Sequence, residues 1–203
     1  YIYLDTDERR RFAQVSHEYL IEQLQYSESS IKNGSPSIDL NFNHPVKELI
    51  WCSRNTGSNG RCLQTLGTES DPTASPSVSL DAMGGNWQLK LNGHDRFKER
   101  DTKYFTRTQV WQHHTGYGAI PTKGTIDVGL GTGNITDFIG GDSIAVYSFA
   151  LKPEEHQPSG TCSFSRIDNA ELIMENNVGT GEDTFKIFAV NYNVLRIMSG
   201  MGG

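Results

Sequence analysis

The chain has 203 residues, with 18 lysines and arginines against 24 aspartates and glutamates, and a formal net charge of −6 at pH 7. This length suits one large β domain or two small ones, and an acidic chain without a basic block argues against direct binding of nucleic acid. No apolar run approaches the roughly 20 residues that a membrane-spanning helix needs.

The two chain ends and the three cysteines indicate the origin of the chain and its redox compartment. The chain opens on Tyr1 without an initiator methionine or a signal peptide and stops at Gly202–Gly203 after a predicted strand. We therefore expect both ends to be cuts in a longer polypeptide. Cys52, Cys62 and Cys162 show no zinc or redox spacing, so free thiols in a reducing compartment are expected.

A short helix is predicted at the start of the chain. Asp5 can cap it, Glu8 completes a capping-box pattern, and the helix should end near Gln14. Arg9–Arg11 lie toward its negative end. The three arginines could form an anion or nucleic-acid patch, but a solvated helix face or a salt-bridge partner for a neighbouring subunit is favoured.

Eight segments with alternating or β-branched apolar residues are predicted as strands. They cover residues 19–26, 38–42, 47–54, 87–97, 144–151, 161–167, 171–175 and 183–198. Two long polar stretches, Asn55–Asn86 and Thr115–Gly141, separate some of them and are expected to be surface loops. The segment Thr102–Trp111 fits either a helical turn or irregular structure.

The last predicted strand, Asp183–Met198, is the longest nearly unbroken apolar run. Both of its faces are apolar, which favours a strand covered on both sides within a sheet and neighboured by early strands. A buried helix is the competing interpretation, which the β-branched and aromatic content disfavours. The alternation slips near Val194–Leu195, which predicts a bulge or bend there.

Eight short antiparallel strands require a closed barrel or two packed sheets. The sequence therefore predicts an all-β fold: an eight-stranded antiparallel jelly-roll sandwich with a short N-terminal helix and long surface loops. A single domain is expected to cover residues 1–203.

The residues that invite a chemical interpretation have ordinary alternatives. His113 and His114 would point to opposite sides of an extended segment, so they are not expected to chelate one metal ion. Gly129–Asn134 resembles a phosphate-binding loop but lacks the following Lys-Ser/Thr and helix. The carboxylate pairs Asp95 with Glu99 and Glu154 with Glu155 are candidate glycosidase acids, with surface solvation as the expected role.

Asn33 and Asn134 each begin a glycosylation sequon in a predicted loop. No residue set has the spacing of a catalytic, cofactor-binding or metal site, so none is predicted. The absence of such a set favours a structural protein over an enzyme.

Six ordered blocks of the sequence resemble the major capsid proteins of large nucleocytoplasmic DNA viruses, of the iridovirus and phycodnavirus kind. The blocks are LDTDERRRFAQVSHEYLIEQLQ (Leu4–Gln25), LNFNHPVKELIW (Leu40–Trp51), KLNGHDRF (Lys90–Phe97), YSFALKP (Tyr147–Pro153), QPSGTCSFSRIDNAEL (Gln157–Leu172) and NYNVLRIMSGMGG (Asn191–Gly203). The stretches between them, Asn55–Asn86 and Thr106–Asp142, resemble nothing specific.

The resemblance implies a subunit with two successive jelly rolls, of which this chain would be the second, with the N-terminal jelly roll absent. It implies homotrimers of pseudo-hexagonal outline that contact neighbouring capsomers and minor or cement proteins. These would tile an icosahedral shell over an inner viral membrane in the virion, after assembly in the host cytoplasm. Contacts between subunits are expected at Arg9–Arg11 and in the segment Lys98–Trp111.

Two other functions compete with this one. A carbohydrate-binding jelly-roll attachment module would display exposed loop aromatics such as Tyr117 or Trp111. A jelly-roll enzyme would hold a metal or a filled inner cavity.

Overall fold

The computed structural model describes residues 3–31, 37–55, 85–116, 126–127, 134–135, 144–175, 183–198 and 201–202. The predicted first helix is α1 (Thr6–Gln14). Asp5 caps it as expected, although its carboxylate accepts from the backbone N–H of Thr6, the next residue, at 2.8 Å. No side chain of α1 is buried. In the described part of the chain, no helix has the length and apolar character needed to cross a membrane.

The strands of the described residues form two packed antiparallel sheets and one separate two-stranded sheet, which pairs residues 126–127 with residues 134–135. They are β1 (His17–Ile31), β2 (Ser37–Asp39), β3 (Pro45–Asn55), β4 (Asn86–Leu91), β5 (His94–Asp101), β6 (Ile126–Asp127), β7 (Asn134–Ile135), β8 (Ile144–Ser148), β9 (Cys162–Ser163), β10 (Ala170–Glu175), β11 (Asp183–Met198) and β12 (Met201–Gly202). One sheet has the order β1-β11-β3-β8, with β12 beside β11 and β9 beside β3, and the other has the order β2-β10-β4-β5. The two packed antiparallel sheets confirm the predicted jelly-roll fold, although the strands of these sheets do not match the eight predicted segments one to one.

The predicted last strand lies inside the first sheet. β11 pairs with β1 through fifteen consecutive residue pairs, from His17 opposite Ile197 to Ile31 opposite Asp183. On its other side it pairs with β3. An early strand therefore flanks β11 on each side, as the apolar run predicted.

The core lies between the two sheets and is rich in aromatic side chains. Trp51 of β3 packs 5.5 Å from Trp87 of β4, measured between ring centroids, which joins the two layers. Phe105 lies 5.2 Å from Trp51 and is fully buried. Trp87 Nε1 donates a 2.9 Å hydrogen bond to Thr102 Oγ1. Large aromatic rings thus fill the space between the two sheets, and their burial supplies much of the stability of the sandwich.

The structure corrects the prediction that one strand runs from Trp87 to Phe97. That stretch is a hairpin in which β4 ends at Leu91 and β5 begins at His94. Asn92 and Gly93 form the two-residue turn, and both have positive φ, at 51° and 78°. This geometry favours Asn-Gly, a hairpin signal that the sequence carries.

The segment that the sequence left ambiguous is resolved, and the ends of three other strands differ from the prediction. The ambiguous segment after β5 is helical, with a π-helical turn (Tyr104–Thr108) followed by α2 (Gln109–His113). β8 ends at Ser148, so Leu151 is exposed rather than aligned with Tyr147. The strand predicted over 161–167 is only β9, followed by a 3-10 turn (Phe164–Arg166). β1 also continues to Ile31.

The bulge predicted at Val194–Leu195 lies elsewhere. The register between β11 and β3 shifts between Val190 and Asn191, which pair with Glu48 and Val46. Lys47 is therefore the extra residue on β3. The prediction that both faces of β11 are covered is also wrong in part, because Val194 on the outer face is exposed.

Candidate functional site

The outer face of the six-stranded sheet, turned away from the core, carries the clearest concentration of charge. The pairing register places Glu22 of β1, Tyr192 of β11 and Glu48 of β3 on this face. The β-bulge adds Lys47 to it. These four side chains form a row across β1, β11 and β3, which we call the charged row.

Lys47 is the most buried cation of the row, since its side chain is only 4% exposed. Its Nζ lies 2.8 Å from Glu22 Oε1 and 5.4 Å from the centroid of the Tyr192 ring. A buried ammonium needs both a carboxylate and further favourable contacts to offset its lost hydration. Glu22 and Tyr192 supply them.

His114 continues the row from the end of α2. Its Nε2 lies 3.0 Å from Glu48 Oε2, and its Nδ1 lies 3.2 Å from Glu154 Oε1. Glu154 also accepts hydrogen bonds from the backbone N–H and the hydroxyl of Thr115, at 3.0 and 2.7 Å. One imidazole thus joins β3, the C-terminal end of α2 and the segment that follows β8.

That segment, Leu151–Gly160, is called the strap because it passes over the outer face of the sheet. Pro153 is buried, and His156 Nδ1 lies 3.8 Å from Glu22 Oε1 on β1. Ser159 Oγ accepts a 2.9 Å hydrogen bond from the backbone N–H of Lys152, which ties the two ends of the strap together. The charged row therefore fixes the strap to the sheet.

The surroundings of His114 shift two pKa values in opposite directions. The hydrogen bond with the Glu48 carboxylate is the largest cause, and it raises the pKa of His114 above 6.5. Burial of the ring lowers this pKa, and the Glu154 carboxylate raises it further. The hydrogen bonds from Thr115 lower the pKa of Glu154 below 4.5, with a smaller contribution from His114. Between about pH 4.5 and pH 6.5, the protonated His114 ring therefore faces an ionised Glu154 carboxylate.

These shifts predict how the stability of the strap depends on pH. Because the pKa of His114 is higher in the folded state, its stabilising contribution is complete below about pH 6.5 and is lost as the pH rises through the folded value. Because the pKa of Glu154 is lower in the folded state, its contribution is present above about pH 4.5 and is lost as the pH falls through the folded value.

The variant His114→Gln tests the loss of stability that is predicted as the pH rises through the folded pKa of His114. We expect urea unfolding to show the largest loss of stability in this variant near pH 6 and a loss approaching zero well above the folded pKa. The control His113→Gln removes a ring whose hydrogen bond is with a backbone carbonyl, Leu151 O at 3.0 Å, rather than with a carboxylate, and should keep the wild-type pH dependence. A pH-independent loss in His114→Gln would contradict the ion-pair explanation.

The two histidines predicted on an extended segment lie instead at the end of α2 and have different partners. Of the predicted carboxylate pairs, Glu155 binds Lys152 at 2.9 Å and Glu154 binds His114, so the two side chains have separate partners. Glu99 of β5 accepts a hydrogen bond from the Asn86 side chain. In the described residues, no three His, Cys, Asp or Glu side chains are grouped as metal ligands.

The remaining candidates are spread over the chain. Arg9–Arg11 are exposed on α1, and Trp111 on α2 is 74% exposed. Burial raises the pKa of the Cys162 thiol, so it is a poor nucleophile. Asn134 lies in the short strand β7. The loop Gly129–Asn134, except its last residue, and the positions Asn33, Cys62 and Tyr117 lie outside the described residues.

Sequence reasoning missed the roles of Glu22, Lys47 and Glu48. One signal was available: Lys47 and Glu48 are adjacent charges inside an apolar strand, and a regular alternation cannot place both on a solvated face. Their partners could not be found in this way, since Glu22 and His114 are distant in sequence.

Comparison with known proteins gives one consistent family. A family model described as the large eukaryotic DNA virus major capsid protein matches residues 8–127 and 139–203. The chain is 50% identical over 209 residues to a major capsid protein of Pyramimonas orientalis virus, which covers 100% of this chain and 46% of the relative. A major capsid protein of Paramecium bursaria Chlorella virus 1 is 36% identical and covers 100% of this chain and 52% of its own length.

Solved structures agree with the sequence matches. A PBCV-1 virus capsid structure aligns with a TM-score of 0.69 and 35% identity, over 100% of this chain and 55% of that one. The Faustovirus major capsid protein aligns with a TM-score of 0.59 at 12% identity, a similarity of fold alone. The chain spans about half the length of the curated relatives it matches.

Proposed function

Because the chain belongs to the family of major capsid proteins of large eukaryotic DNA viruses, we propose that it is a structural building block of a viral shell. The observation that supports this most is the match over the whole chain to a major capsid protein at 50% identity. The sandwich suits the role, because a packed core between two sheets tolerates variation in the loops at its ends. The part it plays is architectural rather than catalytic.

On this proposal, the chain is the second of two successive jelly rolls in a longer subunit. Its similarity covers 46 to 55% of the Pyramimonas orientalis virus and Paramecium bursaria Chlorella virus 1 proteins, which leaves room for another domain of the same size. Such subunits would form homotrimers of pseudo-hexagonal outline, and closed symmetry would require complementary patches on their side faces. Neighbouring capsomers, minor cement proteins and an inner membrane would surround them in the virion, after assembly in the host cytoplasm.

Electron microscopy of the full-length protein tests the proposal. Trimeric capsomers with a pseudo-hexagonal outline are the expected result. Particles that remain monomeric at high concentration, or that form open filaments, would count against the assembly.

The arginines of α1 provide a prediction about assembly. Arg9–Arg11 are exposed, and no side chain of α1 is buried, so replacing all three with alanine should leave the unfolding transition within about 0.5 kcal/mol of wild type. If these side chains bind a neighbouring subunit, the same variant should weaken capsomer formation. Sedimentation of the full-length protein measures this.

A triple replacement of Arg9–Arg11 with lysine is the matched control. It keeps the net charge but loses the planar guanidinium groups that bind carboxylates in a bidentate manner. Assembly that is intact with lysine and weak with alanine would assign the effect to charge. Unchanged assembly of the alanine variant would remove these arginines from the interface.

One observation favours the alternative of a carbohydrate-binding attachment module. The Trp111 ring is 74% exposed on α2, and an exposed aromatic ring is suited to stacking against a sugar. A glycan array distinguishes the two functions. A carbohydrate-binding module should bind a glycan and lose this binding in Trp111→Ala, whereas a shell subunit should show no such binding.

A further inference from the structure

The hairpin turn between β4 and β5 carries a dipeptide that can react with itself. Asn92 and Gly93 form this turn, and both residues are exposed. In an Asn-Gly pair, the backbone nitrogen of the glycine can attack the asparagine amide, because glycine has no Cβ to obstruct the approach. Asparagine is accordingly counted among the thermolabile residues of proteins. The turn is therefore a candidate site of spontaneous modification.

The reaction is a deamidation that needs only water. The Gly93 nitrogen forms a bond to Asn92 Cγ and gives up its proton, while the bond from Cγ to Nδ2 breaks and ammonia leaves with that proton. The product is a cyclic succinimide within the main chain. One water molecule then opens the ring at either of its carbonyl carbons, which leaves aspartate or isoaspartate at position 92. In isoaspartate, the main chain runs through the former side chain.

The backbone of the turn opposes this reaction. In the succinimide, the Gly93 nitrogen lies on the same side of the Asn92 Cα–C bond as Cβ. A two-residue turn with positive φ at both positions, here 51° and 78°, has ψ of about 30° at its first residue. This ψ places the nitrogen on nearly the opposite side from Cβ. The ring cannot close without a large rotation of the turn.

Hydrogen bonds to a neighbouring segment hold the turn in this conformation. Asn92 Oδ1 accepts from the backbone N–H groups of Asp168, at 2.9 Å, and Asn169, at 3.1 Å. The backbone N–H of Asn92 donates to the Asn169 carbonyl oxygen at 2.6 Å. We call these three hydrogen bonds the turn lock. Because Leu91 is paired with both Ala170 and His94, rotation of the turn has to break the lock or unpair the end of β4.

The two N–H groups on Oδ1 also have a competing effect. Attack on Cγ places negative charge on this oxygen, and two backbone donors would stabilise that charge. They cannot accelerate the reaction while the turn is closed, because the Gly93 nitrogen is then out of reach of Cγ. The conformation of the turn decides the outcome.

We propose that Asn92–Gly93 is a deamidation site that the turn lock keeps unreactive in the folded protein, and that isoaspartate forms there only when this end of the sandwich opens. Both residues are exposed, so water has access and burial does not provide the protection. The rate of the reaction in the folded protein is then the rate in the open chain multiplied by the fraction of time that the turn is open. The modification records local opening of the β4–β5 hairpin.

The two products have different consequences for the fold. Aspartate keeps a carboxylate oxygen at the place of Oδ1, where it can accept from the same two N–H groups. Isoaspartate adds one carbon atom to the main chain of a two-residue turn, and its shortened side chain no longer reaches the segment Asp168–Asn169. Isoaspartate is therefore the product that breaks the turn lock and prevents the hairpin from closing again.

The first test compares the folded full-length protein with a free peptide of residues 91–96, LNGHDR, at mildly alkaline pH. Trypsin releases the same peptide from the protein, and mass spectrometry with separation of the two isomers measures aspartate and isoaspartate at position 92. We expect deamidation in the folded protein to be at least about tenfold slower than in the peptide, and to reach the rate of the peptide in urea. A smaller difference would overturn the proposal, since the turn would then open freely.

A pair of variants tests the turn lock itself. Asp168→Pro removes one N–H donor to Asn92 Oδ1. The preceding Ile167, with φ of −111° and ψ of 115°, already has the extended backbone that a residue before proline prefers. Asp168→Ala is the matched control, because it keeps the N–H. Circular dichroism shows whether each variant is folded.

We expect folded Asp168→Pro to deamidate at position 92 at least about threefold faster than Asp168→Ala, which should match the wild type. Equal rates in the two folded variants would overturn the role of the turn lock. If Asp168→Pro does not fold, the comparison of the wild type with the peptide still decides the proposal. None of these outcomes depends on the formation of a viral shell.

Discussion

Replacing Trp51 with alanine is expected to lower the free energy of unfolding by about 3–5 kcal/mol. The side chain is fully buried on β3, and its ring contacts Trp87 of the opposite sheet and Phe105. Its removal leaves a large cavity between the two layers, which a sandwich cannot close without moving a whole sheet. Urea unfolding followed by circular dichroism measures the loss.

Trp111→Ala is the matched control, because it removes the same side chain from a position that is 74% exposed. It should change the stability by no more than about 0.5 kcal/mol. Trp51→Phe should lie between the two, since the buried Trp51 N–H has no hydrogen-bond partner among the described residues. Similar losses for Trp51→Ala and Trp111→Ala would contradict the packing of Trp51 between the sheets.

Gly160→Ala is expected to destabilise the fold by about 2–4 kcal/mol, through backbone strain and a direct clash. Gly160 has φ of +147°, and a Cβ atom there would lie 2.8 Å from the backbone oxygen of Phe149 and 3.3 Å from Ala150 Cα. Both contacts are with backbone, so no side chain can rotate away. Gly160 ends the strap just before β9, so the variant should also loosen the strap from the sheet.

Gly116→Ala separates strain from the clash. Gly116 has φ of +123°, but a Cβ atom there would have no atom of the described residues within 4 Å. We expect a loss of about 1–3 kcal/mol in this control, from strain alone. Thermal unfolding of both variants gives the difference, and hydrogen exchange in the strap shows where it acts. A smaller loss in Gly160→Ala than in Gly116→Ala would refute the close approach to Phe149 and Ala150.

Local signals in the sequence account for most of the elements. Asp5 marks the start of α1, and the alternation of Ile38 with its neighbours marks a strand whose apolar residues are buried. The Asn92–Gly93 turn is also a local signal, and it ends the strand that the alternation from Trp87 to Phe97 predicts as continuous. Features of this kind depend on a few neighbouring residues, so sequence alone can supply them.

The sequence predicts less well the features that depend on strand register or on contacts between residues far apart in the chain. The bulge lies at Lys47 because β11 must align with β3 on one side while it keeps an unbroken register with β1 on the other. The segment after β5 is helical because Phe105 reaches the core and Gln109 Oε1 accepts a 3.2 Å hydrogen bond from the backbone N–H of Ser148. Neither arrangement is encoded in a local pattern.

Periodicity and ordered blocks of residues are sufficient to predict the alternating strands, the central place of β11 and the family. The folded chain is needed to bring Glu22, Lys47, Glu48, His114 and Glu154 into one row on the outer face of the six-stranded sheet. The reason is physical: which side chains meet across a sheet is fixed by strand register and by where a loop crosses the sheet, and both depend on contacts between residues far apart in the chain.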